Sequence, residues 1–586
     1  MSTLHLDSEH SRIHLDAVET LKSWGRSSTL LIDGWDDDLH RSLYGTVSGK
    51  VVEPTVVMGL QDLTGQCGSS KSIFEAAKTA VSMMGIENMS CFLAAVTDNP
   101  SVMKGFRKML EKDYLWIITL PCWAHGLNTL VGEICRYVAA KTQIQSANRI
   151  VTFFNMSHYW GRQLKAGAKT EGVTRGLKKN CESRWYALIL LLRSVVAHRT
   201  PLSTLLARPE ARKMTDGMTA VNPDVIRIVQ DTFNEFWPMV GQTIRIAQPF
   251  VDVIADSEGR GVTLADCMLN LLRVARQLSP LKDEDEDDRE FKKHAYAVMD
   301  KRFNQMATPL HRLALFLNPL CRKLAATEVL GFTLHDMKTT ALSIAKDKWK
   351  WKKADCAALS KDLDEYHACH APFNGGQPNA PAWWKGISKK HKSAEFALAI
   401  PSIVPYVAEI ERLFLSCNGI QSPKRNSLAV DTFSKLAKIC SSLVEEAKLR
   451  APLKKPKPAA AAEKLPAAKE ESLKKWVTPL TSAEDGDGGA GAVNGVDAAF
   501  DALEKQLEAE RLEEETAESI PAIATVAAAK GKQRASPLSL MAGQIYDFEL
   551  VKQALNNVVP REEIYKVNVV WQEGDDEGDW DIKDLL

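Results

Sequence analysis

Three acidic residues, far apart in the chain, stand where metal-dependent phosphodiester chemistry would want them. Asp33 closes the apolar run Ser28-Thr-Leu-Leu-Ile-Asp33-Gly-Trp35, and Asp98 closes Leu93-Ala-Ala-Val-Thr-Asp98-Asn99. Glu411 lies in the helical stretch Glu409-Ile-Glu411-Arg-Leu-Phe414, ahead of the stop signal Ser416-Cys-Asn-Gly419. Three convergent carboxylates can hold two divalent cations, and two cations can drive attack on a phosphodiester. Taken singly, each residue has a plainer reading. An Asp after a strand is a common turn former, and a helical Glu is usually a solvated face. The chemistry depends on whether the three meet.

The elements that must position them can be read from periodicity. Residues 27–63 read as three short strands, at Ser28–Asp33, Ser42–Gly49 and Thr55–Leu60. Ile73, Ala76, Ala77, Ala80, Val81 and Met84 give a helix over 69–84. Cys91–Thr97 is a second buried strand, and Pro100 opens a helix through Val102, Phe106 and Leu110. Trp116–Leu120 is a further strand, followed by a helix from Ala124 to about Ala140. The predicted order is β-β-β-α-β-α-β-α. From about 190 to 400 long amphipathic segments dominate and strand signals nearly vanish. Residues 401–449 return to strong helical signals.

Composition sets the frame. The 586 residues are 45% hydrophobic and 25% charged with zero net charge, as in a multi-domain soluble chain. The zero hides an asymmetry. Residues 141–220 carry 14 Lys and Arg against four acids, and residues 481–520 carry 12 acids against two basic residues. A basic stretch is either a solvated helix face or a polyanion contact. Eleven scattered Cys fit reduced thiols in a cytosolic or nuclear setting. The first residues lack the pattern of a signal peptide, and no run of 18 apolar residues suits a membrane. Residues 454–468 are rich in Lys, Pro and Ala, and 485–491 in Gly and Asp, so both read as disordered linkers. Ala498–Glu518 suits one charged helix with Phe500, Leu503 and Leu507 on one side. Cys122-x-x-His125 has the spacing of half a zinc site, but no second ligand pair is evident.

Five stretches, in order, resemble the hAT superfamily of transposases. They are Leu31-Ile-Asp33-Gly-Trp35, Ala95-Val-Thr-Asp98-Asn99, Leu120-Pro-Cys122-Trp-Ala-His125, Glu182-Ser-Arg184-Trp185 and Glu411-Arg412-Leu-Phe414 with Lys424-Arg-Asn426 after it. The resemblance implies an α/β plus all-α protein. Its ribonuclease H-like mixed sheet would be interrupted by a large helical insertion domain, with a disordered acidic tail beyond. On this reading residues 1–26 are a lead-in helix and 27–190 the first part of the core. Residues 191–400 are the insertion, 401–449 the dimerisation region that completes the core, and 450–586 the linker and tail. It implies that Asp33, Asp98 and Glu411 are the catalytic carboxylates and bind Mg²⁺ or Mn²⁺. One ion would activate water or a 3′-hydroxyl and the other stabilise the leaving oxygen. It also implies that His125, Arg184 and Trp185 contact DNA, Trp185 by stacking on an extruded base. Lys178 and Lys179 would hold phosphates, while Cys122, Arg412 and Phe414 support the motifs. The implied setting is nuclear, without a membrane, with DNA and a second copy of the chain as partners.

Two departures from the family pattern matter. No zinc-binding module precedes Asp33, and Pro405 and Tyr406 stand where small residues usually lead into the Glu-Arg dipeptide. They suggest a truncated or domesticated copy. Two functions follow: a metal-dependent DNA strand-transferase, or a catalytically inactive nuclear protein that dimerises and binds DNA.

Overall fold

The protein is described by a computed structural model. It covers residues 3–450 and 491–519, apart from 38–39, 67, 181–183, 215–218, 231–234, 279–286, 327–332, 378 and 421–427. Residues 182–183, most of the acidic run at 283–288, the 424–426 motif and the linker and tail at 451–490 and 520–586 lie outside the described residues.

The first half is an α/β unit. Helix α1 (Thr3–Trp24) leads into strands β1 (Ser28–Asp36), β2 (Ser42–Gly49) and β3 (Val56–Asp62). Helix α2 (Ser70–Met83), β4 (Phe92–Thr97), α3 (Ser101–Asp113), β5 (Ile118–Pro121) and α4 (Trp123–Cys135) follow. The strands form one mixed sheet in the order β3-β2-β1-β4-β5. The β1–β2 and β2–β3 pairs are antiparallel, and β1–β4 and β4–β5 are parallel. The predicted helix from Ala124 to Ala140 is broken at Arg136–Tyr137, and α5 (Val138–Met156) starts afresh.

Helices fill the next part of the chain. They are α6 (His158–Thr170), α7 (Tyr186–Ala197), α8 (Arg199–Leu206), α9 (Pro223–Gln230), α10 (Phe236–Ser257), α11 (Leu264–Leu278) and α12 (Arg289–Met306). Then come α13 (Pro309–Phe316), α14 (Arg322–Ala325), α15 (Leu334–Ser343), α16 (Lys353–Ala368), α17 (Ala380–Gly386) and α18 (Lys392–Ala399). Among the described residues of this stretch there is no strand. The last helices are α19 (Ala408–Ile420), α20 (Val430–Arg450) and α21 (Gly491–Ser519).

The sheet is covered on both faces, which is why its central strands read as unbroken apolar runs rather than alternations. Leu30, Ile32, Phe92 and Ala95 face α2 and α3. Leu31, Ala94 and Val96 face the opposite way, into the core shared with α4, the helical block and α19. Side chains alternate along a strand, so Asp33 and Asp98 continue the second face, after Leu31 and Val96.

The spacing of Leu413, Phe414, Leu428, Phe433, Leu436 and Ile439 suits either a core or a dimer seam. Leu413, Phe414, Phe433 and Ile439 are buried within this one chain, and Leu428 and Leu436 are half-buried against it. The Trp35 ring lies 5.4 Å from Phe414 and 6.1 Å from Phe433, so these residues close the core. Trp383 and Trp384 pack around Tyr366, and Trp384 donates its indole N–H to the Leu317 carbonyl at 2.8 Å.

The tail holds the charged helix expected over Ala498–Glu518, as α21. That helix is docked on the body, because Val496, Phe500, Leu503 and Leu507 form a helical stripe that is buried.

Helix α1 packs against α20 through Leu6, Ile13 and Ile439. Lys438 is buried at this seam, where it acts on His10 and His14. Burial pushes the Lys438 amine down to about 8, against the opposing pull of Asp431. Its folded value lies below the unfolded one, so the folded chain binds fewer protons between roughly pH 8 and 10. Stability should therefore rise with pH through that window, by about 1–2 kcal/mol. Lys438→Met should stabilise the chain at neutral pH and flatten the rise. Urea unfolding at both pH values checks this, and an equal slope in the variant would refute it.

Candidate functional site

Asp33 sits at a fork in the sheet. β1 stays paired with β2 through Asp36, whereas its pairing with β4 ends at Ile32 opposite Thr97. Asp33 is thus inside β1 rather than at its end, and Asp98 is the next residue of the neighbouring strand. The strand β4 leaves the sheet because Arg107 gathers the following turn. Its guanidinium donates to Thr97 Oγ1 at 2.6 Å, to the Asp98 carbonyl at 2.6 Å and to Asn99 Oδ1 at 2.7 Å. The Asp98 carboxylate is left turned inward, and its Oδ1 is a buried oxygen with no hydrogen-bond partner. Asp33 Oδ1 accepts the Gly34 N–H at 2.9 Å.

Glu411 reaches these residues because α19 lies directly on the sheet. Gly45 faces Asp33 across the β1–β2 pair, and a Cβ there would meet Phe414 at 3.0 Å and Ile410 at 3.1 Å. The absent side chain lets α19 come down on the strand beside Asp33. The lead into α19 is pinned residue by residue. Val404 donates to Thr29 Oγ1 at 3.0 Å, and the Pro405 carbonyl accepts from Trp123 N–H at 2.9 Å. Tyr406 donates its hydroxyl to the Gly259 carbonyl at 2.6 Å. Pro405 and Tyr406 therefore anchor the helix, which begins at Ala408 with Glu411 in its first turn.

Glu409, two residues before Glu411, has a structural part. It is buried and accepts from Thr55 at 2.8 Å, from Arg260 at 3.0 and 3.1 Å, and from Arg412. Burial would raise its pKa, but the Arg260 hydrogen bonds and the Arg412 charge hold it below the ordinary value. Arg412 also donates to the Glu258 carbonyl at 2.6 Å, and Arg260 also bridges to Glu445. Arg260→Ala would strand a buried carboxylate and should cost about 3 kcal/mol, read as a lower urea midpoint. A midpoint within error of the parent would show that Arg412 alone suffices.

The three carboxylates act on one another. Asp33 is pushed well above the usual carboxylate range by burial, then by the charges of Asp98 and Glu411, with Gly34 N–H opposing. Asp98 is pushed up to about 6 by burial, with Arg107 pulling it down and Glu411 adding to the rise. Like charges crowded into a partly dry place are the setting that a cation relieves.

Glu411 also has a partner that its sequence context does not reveal. Arg184 donates to Glu411 Oε2 at 2.8 Å and to the Tyr186 hydroxyl at 2.9 Å. Against the cost of burial, Glu411 and Tyr186 hold the Arg184 guanidinium firmly charged. Glu258, at the end of α10, is a fourth carboxylate of the cluster. Burial and Glu411 push it up to about 7, against Arg184 and Arg412. Nothing local in the sequence marks Glu258, Tyr44 or Tyr186 as neighbours of the three acids. Tyr44, which lies under Gly34, is raised by burial and by Asp98, Asp33 and Asp36.

Among the described residues, no group of three His, Cys, Asp or Glu side chains stands in an arrangement that could hold a metal ion. The expected metal set of Asp33, Asp98 and Glu411 is therefore close enough to interact but not drawn into coordination, and Arg184 supplies the positive charge at Glu411. The donor chemistry fits a hard divalent cation in part: oxygen ligands, crowded negative charge and the unpartnered Asp98 Oδ1.

The remaining expected residues fall in different places. Cys122 caps α4, its Sγ accepting from His125 N–H and Val407 N–H, both at 3.4 Å. It is buried with its thiol pushed up to about 12 by burial, and among the described residues it belongs to no group of three side chains that could hold a metal ion. His125 lines a small cavity with Asn99, Arg302 and Glu510, and burial pushes its pKa down. Trp185 lies against Gly132, where a Cβ would come within 2.6 Å of the ring, and against Phe500 at 5.3 Å. No base can stack on the face that Phe500 covers. Lys178 donates its backbone N–H to Ser194, and Lys179 is exposed. Neither is among the groups that shift Asp33 or Asp98. Arg412 and Phe414 serve Glu409 and the core.

Residues 1–150 match the model of a family described as Domain of unknown function (DUF659). The match takes in the sheet with Asp33 and Asp98, and stops short of Arg184 and Glu411. No curated protein matches the chain. No helix among the described residues is long and apolar enough to cross a membrane.

Proposed function

We propose that this chain is a transposase-derived DNA-binding protein. Asp33, Asp98 and Glu411 form its centre for metal-dependent strand cleavage and transfer. One observation carries this reading: three acids from positions 33, 98 and 411 crowd together until burial and each other's charge raise Asp33 and Asp98. Carboxylates raised by burial and by one another recur at functional sites, and a divalent cation would relieve the repulsion that Arg107 and Arg184 offset only in part. The sheet order β3-β2-β1-β4-β5, antiparallel on one side and parallel on the other, supports a ribonuclease H-like core with the helical block inserted before α19. The matched family is associated with hAT-like transposase regions, which supports the same origin.

A pair of Mg²⁺ or Mn²⁺ ions, when bound, supplies charge to the attacking and leaving oxygens. Asp33, Asp98 and Glu411 would hold them. Asp98 is ready to do so, with Arg107 fixing its turn and Oδ1 unpartnered. Glu411 must first leave Arg184. The released Arg184 guanidinium would be a charged donor for a phosphate oxygen. DNA, a homodimer and a nuclear site complete the proposal. Because Leu413, Phe414 and Phe433 are spent on the core, a dimer through 401–449 needs another surface. Leu443 and Val444 on α20 are exposed large apolar residues there.

The Arg184–Glu411 pair also favours a second reading. The same pair is a way to neutralise Glu411 permanently, leaving a catalytically silent, dimerising DNA-binding protein. Purified full chain incubated with supercoiled plasmid in Mg²⁺, Mn²⁺ or EDTA separates the two. Nicking that needs the metal supports the enzyme. Plasmid retarded on a gel but never nicked supports the silent protein. Light scattering at several concentrations tests the dimer, and a monomer throughout removes that part.

A further inference from the structure

The helix α21 carries nine Asp and Glu against Lys505 and Arg511. It lies against α4 and α5 and reaches α3 and α12. Its apolar stripe is short: Phe500 covers the Trp185 ring, while Leu503 and Leu507 are buried beneath the helix. Acids flank the stripe, and four of them reach polar or cationic groups on three helices of the body. Asp497 accepts from Gln145 on α5, and Glu504 stands 3.6 Å from Lys141 on α5. Glu510 pairs with Arg302 on α12 at 2.8 Å, and Glu513 with Lys104 on α3 at 2.7 Å. Lys141 also sits 5.1 Å from the Phe500 ring centre.

Asp497 and Glu513 are 16 residues apart, roughly 24 Å along a helix. Over that length α21 sets out negative charge facing Lys141 and Lys104, as a strand of phosphates would, while the buried Arg302 is shared between Glu510 and Glu133 of α4. One end covers Trp185, next to the Arg184 that holds Glu411. The other reaches Lys104, six residues beyond Asp98, and Glu510 closes the cavity lined by His125 and Asn99.

We propose that the face formed by α3, α4, α5 and α12 is a docking surface for a DNA backbone, and that α21 occupies it in cis as a displaceable acidic competitor. The inference rests on the DNA-binding reading above and names its regulation. The partly exposed pairs, Lys141–Glu504 and Lys104–Glu513, each hold α21 only weakly. DNA offers a denser line of charge and gains by releasing its counterions. Displacing α21 would uncover Trp185, His125, Lys141 and Lys104 together.

The test uses the full chain and a full-chain variant, Phe500→Ala with Glu504→Lys and Glu513→Lys, checked for retained fold by circular dichroism. A fluorescein-labelled random duplex is titrated at about 0.1 M salt. Hydrogen exchange over residues 495–513 of the parent is followed with and without saturating duplex. The variant should bind at least about tenfold tighter, and exchange in α21 of the parent should rise when DNA is added. Equal affinity of parent and variant overturns the competition while leaving DNA binding intact. Tighter binding with α21 exchange unchanged by DNA also overturns it, since the helix then stays in place. Failure of both chains to bind removes the DNA reading itself, and this inference with it.

Discussion

Replacing Asp98 by Asn should abolish metal-dependent nicking while making the metal-free chain more stable. The two effects have one cause. In the folded chain Asp98 is pushed up to about 6, by burial first and by Glu411 as well, against Arg107. The unfolded value is near 3.9. A carboxylate raised on folding contributes stability that is fully present below its unfolded pKa and is lost as pH rises through the folded one. Between roughly pH 4 and 6 the folded chain holds the extra proton, and above that window the charge is a burden. Asn carries no charge, so at pH 7–8 the variant should gain about 1–2 kcal/mol after allowance for solvent screening. The Asn side chain also cannot compensate a cation, so the rise in melting temperature that Mg²⁺ gives the parent should vanish. Nicking should fall by at least about a thousandfold, some 4 kcal/mol of barrier. Thermal melts with and without Mg²⁺, read beside a plasmid assay, check all three. A variant that nicks as the parent does would remove Asp98 from the chemistry. One that is less stable without metal would mean that Asp98 has a structural partner after all.

Gly45→Val should unseat α19 and disable the centre from a distance. A Cβ at position 45 already falls 3.0–3.1 Å from Phe414 and Ile410, and valine adds two methyl groups beyond it. Valine suits a strand, so β2 itself should tolerate the change. The strain falls on the helix. Overpacking of this kind costs about 1–3 kcal/mol. It should loosen the Trp35–Phe414 stack and draw Glu411 away from Asp33. The expected result is a lower urea midpoint, loss of the Mg²⁺ stabilisation and loss of nicking. Gly45→Ala should show a weaker form of each. A valine variant with parental midpoint and Mg²⁺ response would mean that α19 can ride up without moving Glu411.

The two effects differ in how far they could be seen coming. The Asp33–Asp98 neighbourhood was legible because each residue closes an apolar run too continuous for a one-sided strand. Such runs pair as buried parallel neighbours. Glu411 was legible only as part of a motif, since nothing in a helical Glu points to a sheet nearly 400 residues earlier. Gly45 carried no signal beyond a glycine in a strand, whose meaning depends on what approaches it.

By itself, then, the sequence determined the five strands, the helices between them and the two aspartates at the mouth of the sheet. Those follow from local periodicity and strand pairing. It also foretold a charged helix with Phe500, Leu503 and Leu507 on one side. Only the tertiary structure decided where that helix lies, that Phe500 covers Trp185, and that Arg184 holds Glu411 with Glu258 close by. These are contacts between residues hundreds of positions apart, such as the 227 between Arg184 and Glu411. A charged or aromatic side chain has many possible partners, and which it meets is settled by how whole helices pack and not by its neighbours in the chain.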